Sequence, residues 1–170
     1  RADALRGQSR GPEAITLYEK ALELQPNDGA FVLALGLARL ESGDGVGASK
    51  TLRRAVDVDP ENSLAWLKYG RARSATGGEG GALGAYRHAM QVSPYDPGAY
   101  FNLGNVMLRG GSQDSAVIAY RRAIELDVSL APAHFNLARA LLMKDRKAEA
   151  LAAIRTGLIF QPDHAEARAA

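Results

Sequence analysis

Apolar positions along the chain recur at steps of three and four residues, the spacing of an amphipathic helix. Residues 63–96 show the pattern well. Trp66, Tyr69 and Ala72 form the apolar side of a segment from about Ser63 to about Ala75. Thr76, Gly77 and Gly78 then break it. Ala82, Tyr86, Ala89 and Met90 form the apolar side of a second segment, from about Gly81 to Val92. Asp96 before Pro97 reads as an N-cap followed by proline at the first helical position, and Pro12 opens an earlier helix in the same way. No stretch alternates apolar and polar residues convincingly enough to predict a strand.

The helix pair repeats. Pro26, Pro60, Pro94 and Pro162 are separated by 34, 34 and 68 residues, with Val128 at the skipped position. Small residues keep the same step at Ala14, Ala48, Ala82, Ala116 and Ala150, and again at Ala21, Ala55, Ala89, Ala123 and Gly157. Bulky residues follow at Tyr18, Leu52, Tyr86, Tyr120 and Ile154; glycines at Gly36, Gly70 and Gly104, then Ala138. Small residues at a helix crossing let two backbones approach, and large residues opposite them fill the gap. Proline after a helix cannot continue it.

These residues resemble the tetratricopeptide repeat family, whose pattern is W-x2-L-G-x2-Y, then A-x3-F, then P, over 34 residues. Residues 63–96 carry it as Trp66, Tyr69, Gly70, Arg73, Ala82, Tyr86, Ala89 and Pro94; residues 97–130 as Tyr100, Leu103, Gly104, Met107, Ala116, Tyr120 and Ala123. Residues 29–62 and 131–164 match at most positions. Arg39 and Arg73 replace a usual aromatic, Val128 a proline and Gly157 an alanine, departures expected to weaken individual helices. The resemblance implies an all-α, right-handed superhelix of antiparallel helix pairs. It gives one array over 1–170: a partial repeat at 1–28, full repeats at 29–62, 63–96, 97–130 and 131–164, and the start of another at 165–170. Both edges look cut, because end repeats need a polar cap; with no initial Met, the chain is expected to be an excerpt of a longer protein.

Composition narrows the chemistry. Of 170 residues 46% are hydrophobic and 24% charged, which is ordinary for a globular chain. The net charge of +2 gives no general reason to expect nucleic acid. Without cysteine there is no disulfide, thiolate metal site or cysteine nucleophile, and the compartment stays open. The longest uncharged stretch, Pro97 to Leu108, is too short to span a bilayer, and no signal-peptide pattern is present. High Ala, Gly and Arg usage points to a bacterial source.

Three strings invite an enzyme reading. Gly7-Gln8-Ser9-Arg10-Gly11 matches a nucleophile elbow without the strand that must precede it. Gly43 to Thr51 is similar to a phosphate loop, yet Ser49 stands where glycine is required and a helical segment precedes it. The Gly77-to-Gly84 cluster lacks dinucleotide spacing and reads as a soft, mobile helix start. His88, His134 and His164 are too far apart for a ligand pair, and His134 takes the packing position of Trp66 and Tyr100. Neither metal nor cofactor is expected, and no enzymatic activity. Arg53-Arg54 and Arg121-Arg122 lie on second helices, with Asp57 and Glu125 four residues after Arg53 and Arg121, as on solvated, ion-paired faces.

The first helices carry a stripe beside their packing side: Leu33, Leu37 and Leu40; Leu67, Arg71 and Ser74; Phe101, Asn105 and Leu108; Phe135, Arg139 and Leu142. Ala34, Lys68, Asn102 and Asn136 lie between the stripes. The family resemblance implies that first helices line a concave groove where extended peptides dock. The candidate groove is Leu67, Lys68, Arg71, Phe101, Asn102, Asn105, Phe135, Asn136 and Arg139. Asparagine amides both donate and accept, as a peptide backbone requires, and arginine forks suit carboxylates. The expected partner is a protein or peptide segment, acidic or C-terminal; no membrane span and no nucleic acid are expected. The carboxylate clamp of chaperone-binding repeats, laid on Leu67, Arg71, Asn102, Pro132 and Asn136, matches only at Asn102. Asn102-Leu103-Gly104-Asn105-Val106 is similar to the asparagine ladder of O-linked N-acetylglucosamine transferases. A binding scaffold is therefore the leading expectation, with the recruiting arm of a larger enzyme, or self-assembly through repeat edges, as alternatives.

Overall fold

The computed structural model describes residues 11–163. The Gly7–Gly11 string, apart from Gly11, and His164 lie outside them. The chain divides into two compact units, Arg1–Val92 and Ser93–Ala170. In the N-terminal unit the helices are α1 (Gly11–Leu24), α2 (Gly29–Glu41), α3 (Gly45–Val58), α4 (Ser63–Ala75) and α5 (Glu79–Val92). In the C-terminal unit they are α6 (Pro97–Arg109), α7 (Gln113–Leu126), α8 (Ala131–Leu142) and α9 (Lys147–Phe160). Among the described residues there is no strand.

Helices pack as hairpins, α2 with α3, α4 with α5, α6 with α7 and α8 with α9, and each second helix also meets the next first helix within its unit. The hairpin turn needs a left-handed residue. Gly43, Gly77 and Gly111 supply it at φ of 83°, 77° and 77°, and Asp145 does so at 56° in the last hairpin. Asp28, Asp44, Asn62 and Asp96 cap α2, α3, α4 and α6 by accepting a backbone N–H. No side chain caps α7, α8 or α9.

The cores follow the repeat columns. Ala14, Ala48, Ala82, Ala116 and Ala150 are fully buried. Tyr86 lies against Gly70 and Tyr120 against Gly104 so closely that a Cβ on either glycine would sit 2.5 or 2.6 Å from the ring. Burying each such ring contributes about 1.5–3 kcal/mol.

Two departures from the repeat pattern are packing solutions. Gly157, a substitution expected to weaken its helix, instead seats a ring: a Cβ there would lie 2.6 Å from Phe135 Cε1. The Gly77-to-Gly84 cluster contains Gly78 and Gly81, where a Cβ would lie 2.7 Å from the Arg73 side chain. The guanidinium replaces the usual aromatic and fills the space the glycines leave. The helix also begins two residues before the expected Gly81, at Glu79, whose carboxylate suits the positive end of the helix dipole. Arg39, the other replacement, donates to Thr51 Oγ1 and, at 2.7 Å, to Glu19.

Candidate functional site

The enzyme-like strings and the histidines resolve first. In the phosphate-loop-like string, Gly43 is the hairpin turn and Asp44 caps α3 by accepting from Gly47 N–H at 2.8 Å. The helix N-terminus that would hold a phosphate already holds this carboxylate, and Lys50 is exposed. His88 stacks on Trp66 at 4.5 Å. His134 is buried, as its packing position predicted, with Nε2 2.9 Å from Val128 O.

That last contact belongs to a series which sequence reading missed. Trp66 Nε1 donates to Pro60 O at 2.8 Å, and Tyr100 Oη to Pro94 O at 3.2 Å. Each aromatic near the start of a first helix satisfies the carbonyl six residues earlier, where the preceding second helix has ended. Val32 holds this position in the first full repeat and has no polar tip; there Arg54 donates to Pro26 O instead. The shared step of 34 residues in both columns was the available signal.

The arginine pairs differ in part from expectation. Arg53 pairs with Asp57 at 3.1 Å, as the four-residue spacing predicted. Glu125, however, pairs with Arg122 at 2.9 Å, and Arg121 reaches Glu149 on the next second helix at 2.8 Å. Arg122 also lies over the Tyr100 ring, 5.9 Å from its centroid. Arg146 and then Arg121 hold the Glu149 carboxyl below its ordinary pKa.

The expected groove residues fall on three first helices. In the N-terminal unit, Leu67 and Lys68 are half-buried on α4 and Arg71 is exposed. In the C-terminal unit, Phe101, Asn102 and Asn105 are half-buried on α6; Phe135 and Asn136 are half-buried on α8, where Arg139 is exposed. Only the second group forms a bonded constellation. Asn136 Nδ2 donates to Asn105 Oδ1 at 2.7 Å, and Tyr120 Oη donates to the same oxygen at 2.8 Å. Asn102 does not join. Its Nδ2 donates at 2.7 Å to Gly98 O in its own helix. The amide pair is thus Asn105 with Asn136, a diagonal between columns, rather than the same-column pair Asn102 with Asn136.

Tyr120 anchors this network from below. It is fully buried against Gly104, with Phe101 tilted on it at 6.1 Å. Burial pushes its pKa up to about 12, against the opposing pull of Arg139 and Arg109. The phenol therefore remains a neutral donor to Asn105 at physiological pH. Two clefts in the same unit lie elsewhere. One of about 560 Å³ is lined by Tyr100, Leu103, Met107, Ile118 and Arg122; another of about 380 Å³ by His134, Leu141, Ala152 and Glu149. None of the expected groove residues lines either one.

Comparison with known proteins now places the chain. No curated protein matches it significantly in sequence. Among solved structures it is similar to MamA, with 25% identity and a TM-score of 0.86, covering 97% of this chain and 96% of that one. It is similar in fold to YrrB, a TPR protein with an unusual peptide-binding site, at 23% identity and a TM-score of 0.78, covering 99% and 87% of the two chains. A thermophilic TPR protein of Thermus thermophilus shares 24% identity at a TM-score of 0.78, covering 99% and 92%. Two family models described as tetratricopeptide repeat match residues 5–77 and 75–132. With the 34-residue columns, the helical hairpins and the glycine–tyrosine seats, these matches show that the chain belongs to the tetratricopeptide repeat family.

Proposed function

We propose that the chain is a non-catalytic protein-interaction scaffold that takes an extended partner segment on the face of its first helices. The observation that carries this reading is the Asn105–Asn136–Tyr120 network. A buried phenol and a neighbouring amide orient Asn105, so its side chain is held in place before any partner arrives. The network uses Asn105 Oδ1 and Asn136 Nδ2. The opposite ends, Asn105 Nδ2 and Asn136 Oδ1, offer a donor and an acceptor to a peptide carbonyl and amide. Phe101 and Phe135 flank the pair as partly exposed apolar surface for side chains between those contacts. Leu67, Lys68 and Arg71 offer the N-terminal unit's own counterpart, half-buried to exposed on α4. An acidic or C-terminal segment is the partner these cationic and amide groups suit.

The test is selection of linear peptides on the immobilised protein, followed by affinity measurement. Asn105→Ala with Asn136→Ala should weaken the selected peptides at least roughly tenfold, the loss of two hydrogen bonds at a desolvated contact. Unchanged affinity in that double variant removes the first-helix face from the account.

A further inference from the structure

The two clefts of the C-terminal unit are successive copies of one groove. The floor of the larger is Tyr100, Leu103 and Met107 on α6; that of the smaller is His134, Leu137 and Leu141 on α8, one repeat further on. Ser115, Ile118 and Arg122 on α7 wall the larger, and Glu149, Ala152 and Thr156 on α9 wall the smaller at the same register. Substitution decides what each can hold. His134 and Leu141 are buried, whereas Tyr100 and Met107 are half-buried and Ile118 is 70% exposed at the lip. The Ile118 column reads Lys50, Gly84, Ile118 and Ala152. Hairpin packing needs no side chain there, since a Cβ on Gly84 would meet nothing within 4 Å. At 3.6 residues per turn, Tyr100, Leu103 and Met107 lie on the side of α6 roughly opposite Phe101, Asn102 and Asn105.

The polar groups around the larger cleft already have partners. Arg122 pairs with Glu125 at 2.9 Å, Arg121 with Glu149 at 2.8 Å, and the Tyr100 hydroxyl donates to Pro94 O. Each cation of the rim has its own carboxylate, so no net charge remains to select an acidic or a basic ligand. An extended segment laid here would bury backbone N–H and C=O groups against Leu103, Ile118 and Ala119 with little to bond them. A helix bonds its own backbone and avoids that cost. The floor has matching dimensions: Tyr100, Leu103 and Met107, at i, i+3 and i+7, extend about 10 Å along α6, the length of a two-turn apolar stripe on a partner helix.

We infer that the α6–α7 cleft is a second docking surface, and that its occupant is an amphipathic helix of a partner protein presenting an uncharged apolar stripe. Ile118 loses its exposed surface against that stripe, and the unbranched thioether of Met107 adapts to the side chain above it. Arg122 and Glu125 stay paired at the edge. The surface differs from the Asn105–Asn136 face in place and in chemistry: one meets a main chain through amides, the other meets side chains through apolar contact.

The test is a set of stapled helical peptides of about fourteen residues, neutral overall, with Leu, Ile, Met or Phe in every combination at i, i+4 and i+7. Each is paired with a scrambled peptide of the same composition whose apolar residues share no face. The full chain should bind at least one striped peptide roughly tenfold or more tighter than its scrambled partner. In protein carrying ¹³C-methyl methionine, the Met107 signal should move on binding, and that of Met143, exposed outside the cleft, should not. Ile118→Asp, at an exposed position and checked for folding by circular dichroism, should remove the preference. Ile159→Asp, at an isoleucine 72% exposed on α9, should keep it, as should Asn105→Ala with Asn136→Ala. No preference for any striped peptide, or a preference that survives Ile118→Asp, overturns the cleft and leaves the first-helix face untouched. A concentration-dependent dimer in sedimentation that Ile118→Asp abolishes seats a second copy of the chain in the cleft and overturns the partner helix.

Discussion

The N-terminal and C-terminal units are built on the same 34-residue register and use it differently. In the first, Leu33, Leu37 and Leu67 make an aliphatic stripe, and the polar groups Lys68 and Arg71 are not tied into any network among the described residues. In the second, the equivalent positions hold Phe101, Asn105, Phe135 and Arg139, and a buried tyrosine reaches up to order an amide pair. The scaffolding is shared; among the described residues the tyrosine-ordered amide pair lies in the C-terminal unit. The two units also hold themselves together differently. Asp and Asn caps start α2, α3 and α4, whereas α7, α8 and α9 start without side-chain caps and the second helices there are joined by Arg121 to Glu149.

The contrast can be broken most forcefully at its largest buried rings. Tyr120→Ala should destabilise the C-terminal unit by about 3–5 kcal/mol and Tyr86→Ala the N-terminal unit by a similar amount. Hydrogen exchange should show amide protection lost in the mutated unit first, because a repeat contacts only its neighbours. Uniform loss in both units would contradict the separation.

Tyr120→Phe sharpens the comparison by pH. A phenol whose folded pKa is raised to about 12 contributes stability that is complete below the unfolded value near 10 and lost as pH rises toward 12. Wild-type protein should therefore weaken in the C-terminal unit over that window, and Tyr120→Phe should flatten that part of the decline. An alkaline profile unaffected by the substitution would refute the buried donor.

Glycine substitutions should have opposite signs at a seat that holds a ring and at an open helix position. Gly157→Ala forces Phe135 from its seat and should cost about 1–3 kcal/mol. Gly84→Ala on α5 meets nothing within 4 Å and should stabilise by about 0.5–1 kcal/mol. Denaturant midpoints separate the two outcomes. Asn62→Ala, which removes the α4 cap, should cost about 1 kcal/mol. The smallest effect belongs to Glu149→Gln, about 1 °C or less in Tm at neutral pH, since the ion pairs it breaks are solvent-exposed.

The sequence made the fold legible because hairpin packing depends on size at fixed positions. Ala48, Ala82 and Ala116 recur visibly, and so do the glycines opposite Tyr86 and Tyr120. What it concealed were exchanges between columns. Arg73 fills space left by Gly78 and Gly81, Gly157 receives Phe135, and Arg54 serves the carbonyl that Val32 cannot. Each looks like a defect when its own column is read alone. The candidate site was legible as a stripe of residue types. Which asparagines would bond was not, since Asn102 and Asn136 occupy the same column and their amides turn to different acceptors.

Side-chain amide signals offer the most direct test. In a ¹H–¹⁵N spectrum of the full chain, titrated with a peptide selected on it, the Asn105 and Asn136 side-chain resonances should shift together with backbone amides of α6 and α8. Shifts confined to α7 and α9, with both asparagine signals unmoved, would contradict a binding surface on the first helices.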